Sequence, residues 1–467
     1  DPGLAADKVT VVRYPLMNRP AFFRTEAGNF IVMECRYGSA STADDWTAEL
    51  GLEYLTETVK LSVTAVSLEE SENISSVTLS LPTDIDVGME LYNLIVTAPD
   101  ARIDTVKNAV RVIDDFEGDF TFIHLPDCHL PACNWIGEYD DPNTVTELKQ
   151  MLGEFNLLNP AFILQTGDIV DNGEQASQYE IAQDVLETSE IPLFLTGGNH
   201  DLWKSGHENW HTYFGSVMDY SFLYDDVRFV GMEMYDDPVS TYTPEQMAWF
   251  QAELKASLAA EESGRVIFTH FDESDQFTPD LADKFDLDAV LFGHSHQNYS
   301  TTVGANNTLL LNTSYTMDDN RKFRLVTASG GAITGQTLLE AGGLNAVISP
   351  VNDGTALKVE ATVSNEYDIP LKGVLLKLHL KNEGTITLSG GTRVQTIDYI
   401  EDSIEKVVYY VTVDLAAGET KTVSLESDAL TNEPPVITDY SPEPYPTVQG
   451  GHSLDFSVSA ADEGSLT

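Results

Sequence analysis

The stretch from Gly167 to Asp201 limits what this chain can fold into more than any other. It opens Gly167-Asp168-Ile169-Val170-Asp171 and closes Gly197-Gly198-Asn199-His200-Asp201. Each polar cluster directly follows a short apolar run, Ala161-Phe162-Ile163-Leu164 and Ile191-Pro192-Leu193-Phe194-Leu195, that reads as a buried strand. Between them Tyr179, Ala182, Val185 and Leu186 recur at helical spacing, which predicts a helix over about Ser177 to Thr188. Strand, loop, helix, strand, loop is a parallel crossover unit. It delivers a carboxylate, and then an amide, an imidazole and a carboxylate, to the carboxyl ends of neighbouring strands, where open α/β sheets bind ligands. Such donors suit metals.

The alternation extends on both sides. Phe120-Thr121-Phe122-Ile123 is a predicted strand delivering Asp127-Cys128-His129, and Val145, Leu148, Leu152 and Phe155 form a helical stripe. Arg228 to Met232 is a further strand. Thr243-Pro244-Glu245-Gln246 opens a helix, with threonine as cap, proline first and glutamine third. Arg265 to Phe268 carries His270, and Ala289 to Phe292 carries Gly293-His294-Ser295-His296. Thr308 to Asn312 and Phe323 to Thr327 read as closing strands. The region from about 117 to 343 is therefore expected to be an α/β sandwich of roughly 220 residues, an ordinary domain size.

The flanks read as β throughout. Lys8 to Val12, Asn29 to Met33, Val59 to Val66, Val77 to Leu81 and Glu90 to Val96 are β-rich, separated by Glu26-Ala27-Gly28, Pro82-Thr83-Asp84 and Ala98-Pro99-Asp100. That spacing predicts an N-terminal β-sandwich over residues 1–116, with a weak immunoglobulin-like likeness at Glu90 to Val96. After Gly342-Gly343 the β pattern returns at Ala356 to Val363, Gly373 to Leu380, Val407 to Val413 and Thr420 to Leu425, a second sandwich over 344–431. Asn432-Glu433-Pro434-Pro435 reads as a linker. In 432–467 the alternating strand Leu454, Phe456, Val458 has no obvious partner before the chain stops at Thr467. Continuation of the natural protein, or completion by another chain, is the expectation there. The start at Asp1, without methionine or apolar signal segment, fits a processed form.

Composition narrows the class. A length of 467 residues is too long for one core, and 42% hydrophobic with 9% aromatic residues excludes a largely disordered chain. No apolar run approaches the roughly 18 residues needed to span a bilayer. Seventy-five acidic against 25 basic residues give a net charge of −50, which disfavours attraction to nucleic acid and anionic membranes. A salt-adapted extracellular source and a simply acidic secreted protein both account for it, and the sequons at Asn73, Asn298, Asn306 and Asn312 are compatible with secretion. Only three cysteines occur; Cys128 and Cys133 could close a small loop, leaving Cys35 over, or all three could be free thiols.

Seven donors follow predicted strands in the middle region: Asp127, His129, Asp168, Asn199, His270, His294 and His296. They are too many for one tetrahedral metal and about right for two metals sharing a carboxylate. The pairs Asp127/His129 and His294/His296 sit two residues apart, so a strand end can aim both the same way. His124, inside its strand, reads as a satisfied core residue, Cys128 as a small filler, and Asp171 as loop-structural or as a support for a ligand. His207, Trp210, His211 and Tyr213 could line a substrate pocket or form an ordinary aromatic loop.

Asp-x-His, Gly-Asp-x-x-Asp, Gly-Asn-His-Asp, a lone histidine and Gly-His-x-His, in that order, resemble the calcineurin-like metallophosphoesterases over about Asp119 to Leu339. The resemblance implies a four-layer-type α/β sandwich, here set between immunoglobulin-like β-sandwich domains. It implies that Asp127, His129 and His296 bind one metal, that Asn199, His270 and His294 bind the other, and that Asp168 bridges. His200 is similar to the family's histidine that contacts phosphate and protonates the leaving group, with Asn199 beside it and Asp201 orienting it. Aspartate at 171, where purple acid phosphatases carry a tyrosine ligand, argues against that branch. The expected cofactors are two transition-metal ions (Zn, Fe or Mn) and the expected substrate is a phosphate mono- or diester, hydrolysed by metal-bridged hydroxide. Two divalent ions outweigh the carboxylates Asp127 and Asp168, so the pocket can hold a phosphate that the acidic surface repels. The expected setting is extracellular or cell-surface. A structural or adhesive surface protein carrying the domain as passenger is the rival reading. In either case the β modules are expected to anchor or self-associate, and residues 117–343 alone to keep hydrolysis of small esters.

Overall fold

The protein is described by a computed structural model covering residues 11–26, 28–55, 57–82, 90–133, 143–233, 242–271, 279–316 and 321–430, with the backbone of two further strands, Val436–Ser441 and Ser457–Ala461. Parts of the sequence reading lie outside those residues: Lys8 to Thr10, Ala27, Thr83-Asp84, Asn432 to Pro435, Leu454 and Phe456. The chain forms two compact units, Asp1–Leu344 and Asn345–Thr467.

Two sheets form the α/β part of the first unit. One contains β1 (Asp119–Leu125), β2 (Ile163–Thr166), β3 (Leu193–Thr196), β10 (Lys322–Ser329) and β11 (Ala332–Glu340), in the order β3-β2-β1-β10-β11. The other contains β4 (Tyr220–Tyr224), β5 (Val227–Met232), β6 (Gly264–Thr269), β7 (Ala289–Phe292), β8 (Tyr299–Val303) and β9 (Thr308–Asn312), in the order β4-β5-β6-β7-β9-β8. Strands β1, β2 and β3 are mutually parallel, as are β5, β6, β7 and β9; antiparallel strands close both edges of the second sheet and the β11 edge of the first. The crossover from β2 to β3 runs through a helix over Ala176–Leu186, as its periodicity predicts.

Aromatic residues from both sheets meet in one core: Phe122 stacks on Phe162 at 5.2 Å, Phe162 meets Phe229 edge-on at 5.0 Å, and Phe268, Leu291 and Val326 complete it. The helix Pro244–Ala259 covers the outer face of the second sheet, with Phe250 and Leu254 among Val230, Met232, Ile267 and Val290. Its start is the capping box the sequence predicts: Thr243 Oγ1 accepts from Gln246 N–H at 3.2 Å, and Gln246 Oε1 accepts from Thr243 N–H at 2.9 Å. On the opposite face, the helix Thr144–Leu158 sets Phe155 against Phe323 of β10 at 4.8 Å.

The N-terminal region is one hydrogen-bonded set of eight strands. The long strand Val59–Glu69 pairs with Thr47–Gly51 through its first residues and with Ile74–Ser80 through the rest. This region shares its interior with the α/β part. Phe22 lies 5.0 Å from Tyr224, 6.0 Å from Phe194 and 6.4 Å from Phe162. Asn108 Nδ2 donates to the carbonyls of Glu187 and Ser189 at 2.9 and 3.1 Å, Lys107 pairs with Glu187 at 2.7 Å, and Arg111 donates to the Glu190 carbonyl.

In the second unit a sheet of Leu344–Ser349, Lys358–Asn365, Thr420–Ser427 and Ile386–Ser389 accompanies a sheet of Leu371–Lys381, Ile404–Leu415 and Thr392–Glu401. Ser457–Ala461, which overlaps the alternating stretch Leu454, Phe456, Val458 only at Val458, pairs antiparallel with Val436–Ser441. The sequence reading missed Val436–Ser441 because a prolyl stretch precedes it. Among the described residues no helix is long and apolar enough to cross a membrane.

Candidate metal centre

The site is built at the carboxyl ends of parallel strands from both sheets. After β1 come Asp127 and His129; after β2, Asp168; after β3, Asn199 and His200; after β6, His270; after β7, His294 and His296. Five of these residues hold positive φ: Asp127 52°, His129 46°, Asp168 55°, His294 60° and His296 54°. Left-handed backbone at non-glycine residues costs of order 1–3 kcal/mol each and persists only where surroundings enforce it. Here the loops enforce it on one another. Asp127 N–H donates to Gly167 O at 3.0 Å, His129 N–H to Asp168 O at 2.9 Å, and His294 N–H to the Asp127 carboxylate at 3.0 Å. Gly198 is needed for closeness: a Cβ there would sit 2.3 Å from Asp168 Oδ1.

Asp168 stands between two sets of donors. Its Oδ2 lies 3.1 Å from His270 Nε2 and 3.7 Å from His129 Nε2, while its Oδ1 accepts His200 N–H at 2.8 Å. Asn199 Oδ1 is 3.0 Å from the same His270 Nε2, and Asp127 Oδ1 is 3.6 Å from His296 Nε2. The ligand atoms of Asp127, His129 and His296 lie within 4.8 Å of one another, as do those of Asp168, His270 and His294. All seven donors singled out in the sequence thus converge. Metal–ligand bonds of ~2.1 Å put neighbouring ligand atoms ~3.0–3.4 Å apart. The separations are close to that range, and imidazole, carboxylate and amide are the donors transition metals take. The residues fit a pair of such ions.

Electrostatics without metal points the same way. Burial alone would lower His270, but the Asp168 and Asp127 carboxylates push it up to about 9. Burial would raise Asp168, yet His270, His200 and His129 hold it well below the usual carboxylate range. A metal must displace the His270 proton to bind. Uptake of Zn²⁺ by the metal-free chain should therefore tighten as pH rises toward about 9 and release protons, measured by calorimetry in buffers of different ionisation enthalpy. In the metal-free protein, the stabilisation from the raised His270 is fully present below 6.5, its ordinary value, and is lost as pH rises through about 9. Uptake independent of pH, with no proton released, would contradict this assignment.

The structure corrects one role. Asp201 does not serve as the partner of the His200 ring: its Oδ1 accepts the Ile169 and Val170 N–H groups, both at 2.9 Å, and its Oδ2 accepts Gly198 N–H at 2.9 Å. It staples the loop after β2 to the loop after β3. The His200 ring is set instead by the Asp171 carbonyl, which accepts from Nδ1 at 2.6 Å. Other expectations resolve as follows. His124 is fully buried, with Nε2 and Nδ1 each 2.8 Å from a threonine hydroxyl, Thr166 and Thr313. Cys35, Cys128 and Cys133 are buried free thiols. His207, Trp210, His211 and Tyr213 lie on a helix, Gly206–Phe214, rather than a loop, and Trp210 is core. Asp171 Oδ1 lies 3.6 Å from His129 Nδ1, in the supporting position that the sequence allowed it. The sequence reading missed two neighbours: Cys133 stands close to both, and Glu233 follows β5, where burial and Asp219 push its carboxyl up to about 8. Glu233 occupies the same strand-end position as His270, the one signal that could have found it.

Residues 120–298 match the family described as calcineurin-like phosphoesterase. No curated protein sequence matches the chain. Among solved structures, a dimetal phosphatase from Danio rerio is similar at 14% identity, covering 47% of this chain and 98% of that one, TM-score 0.36. A purple acid phosphatase from yellow lupin (Lupinus luteus) seeds is similar at 11% identity, covering 72% and 70%, TM-score 0.40. A sulfate thiohydrolase from Thermus thermophilus is similar at 12% identity, covering 48% and 56%, TM-score 0.32. Residues 120–298, which contain all seven convergent donors, form a calcineurin-like phosphoesterase domain.

Proposed function

We propose that the protein is a dinuclear-metal hydrolase of phosphate esters, acting outside the cell or on its surface. The observation that carries this reading is Asp168, buried between two sets of donors with His200 against it. Asp127, His129 and His296 would hold one ion, Asn199, His270 and His294 the other, and Asp168 both. When bound, such a pair supplies Lewis acidity for the phosphoryl oxygens and a water acidified toward pKa ~7.

The remaining chemistry belongs to the chain. His200 donates Nδ1–H to the Asp171 carbonyl, so Nε2 is the nitrogen that would carry a proton to a departing alkoxide. The His129 ring, edge-on at 4.6 Å, keeps the His200 ring from turning. The net charge of −50 supports an extracellular setting, where salt screens self-repulsion, and the β regions would serve attachment or self-association.

The test combines metal analysis with His200→Ala. The wild type should carry close to two transition-metal ions and lose hydrolysis on chelation. His200→Ala should keep its metals yet lose roughly 10²–10⁴-fold on alkyl esters, and far less on nitrophenyl esters, whose leaving group needs no proton. Equal losses on both, or loss of metal, would assign His200 another role. Metal-free protein with full activity would end the dinuclear reading.

A further inference from the structure

Glu233 directly follows the last residue of β5. In the parallel register of β5 and β6 Met232 pairs with Thr269, so Glu233 and His270 stand side by side at the carboxyl edge of the sheet. Side chains alternate along a strand. Met232 belongs to the outer core beneath the covering helix, and Thr269 bonds Tyr242 of that same face. Glu233 and His270 therefore turn the other way, to the side on which His270 meets Asp168 and Asn199.

The position is rigidly held. Glu233 N–H donates to Asp219 Oδ1 at 3.1 Å, and its carbonyl accepts from Gln246 Nε2 at 2.9 Å. Gln246 also donates to Asp219 and is itself fixed by the capping box. From the opposite side His207, in the first turn of its helix, brings Nε2 to 3.9 Å from Glu233 Oε2. Among the described residues Oε2 is buried with no hydrogen-bond partner within the protein, so its lone pairs can take a hydroxyl. The His207 side chain is 33% exposed, so the pair can be reached from solvent.

We propose that Glu233 and His207 bind the alcohol portion of the ester and select leaving groups that carry free hydroxyls, such as polyols and sugars. The proposal rests on the phosphoesterase reading above. A carboxyl and an imidazole 3.9 Å apart can each exchange a hydrogen bond with neighbouring hydroxyls of one diol. An apolar alcohol would leave Oε2 desolvated and unpaired. An ammonium group would meet repulsion from the divalent ion that His270 would help to hold. A site built to bond a hydroxyl rejects analogues lacking it more strongly than a site that only excludes bulk.

The test uses the full, metal-loaded chain on paired glycerol and propyl esters, supplied both as phosphomonoesters and as phenyl phosphodiesters, with phosphocholine and nitrophenyl phosphate beside them. The glycerol ester should be favoured over the propyl ester by roughly 10- to 100-fold in kcat/KM. Glu233→Gln and His207→Ala should shrink that ratio to a few-fold, chiefly through KM, with metal content retained. Free glycerol should inhibit the wild type more strongly than either variant. Overturning results are a wild type that hydrolyses nitrophenyl phosphate without preferring glycerol over propyl esters, one that prefers phosphocholine, or variants that keep the full preference. If no ester is hydrolysed at all, the phosphoesterase reading falls and this inference with it.

Discussion

Replacing Asp168 by asparagine should empty both candidate metal positions together and cut kcat/KM on any phosphate ester by at least about 10²–10³-fold, the scale on which single groups that stabilise transition-state charge act. The substitution keeps the shape of the side chain and an oxygen for the His200 N–H bond, now 2.8 Å long, and removes only the charge. That charge faces His270 at 3.1 Å and His129 at 3.7 Å, histidines assigned to different ions, so its loss is felt on both sides. In the metal-free variant the His270 pKa should fall from about 9, because the largest influence raising it is gone. Elemental analysis and imidazole NMR read both effects. A variant that still holds two ions with wild-type turnover would show that Asp168 is not shared.

Phe22→Ala should destabilise the first unit by about 3 kcal/mol, the low end for a truncated core phenylalanine because Phe22 is only partly buried. Phe22 belongs to the N-terminal strands, yet its ring packs on Phe116, Phe162, Phe194 and Tyr224 of the α/β core. Denaturant unfolding monitored by near-UV circular dichroism would measure the change. The same contacts revise the expectation for residues 117–343 alone. Without the strand Ile103–Ile113, the turn from Glu187 to Glu190 loses Asn108, Lys107 and Arg111, and that turn leads into β3, whose end carries Asn199 and His200. The isolated region should therefore be less stable and less active than the full chain. Equal stability and activity would show that the two parts fold independently.

The β2–helix–β3 crossover was legible from periodicity and from the polar clusters after each strand, because a strand's carboxyl end and its following residues are contiguous in sequence. The seven donors were legible for the same reason: each is one to four residues past the end of a strand. The capping box at Thr243 is equally local, closed within four residues. Contacts made between distant segments were not legible. That Asp201 staples two loops, while the Asp171 carbonyl sets His200, depends on how the backbones after β2 and β3 approach each other. Glu233 carries no motif and gains meaning only when β5 is laid beside β6 in register, next to His270. The shared core of Phe22 with Phe162 and Tyr224 spans well over a hundred residues of chain, a pairing that hydrophobic pattern permits at many positions and only packing selects. Local order came from spacing along the chain; the partners of each charged group, and the union of the N-terminal strands with the α/β sheets, came from tertiary packing.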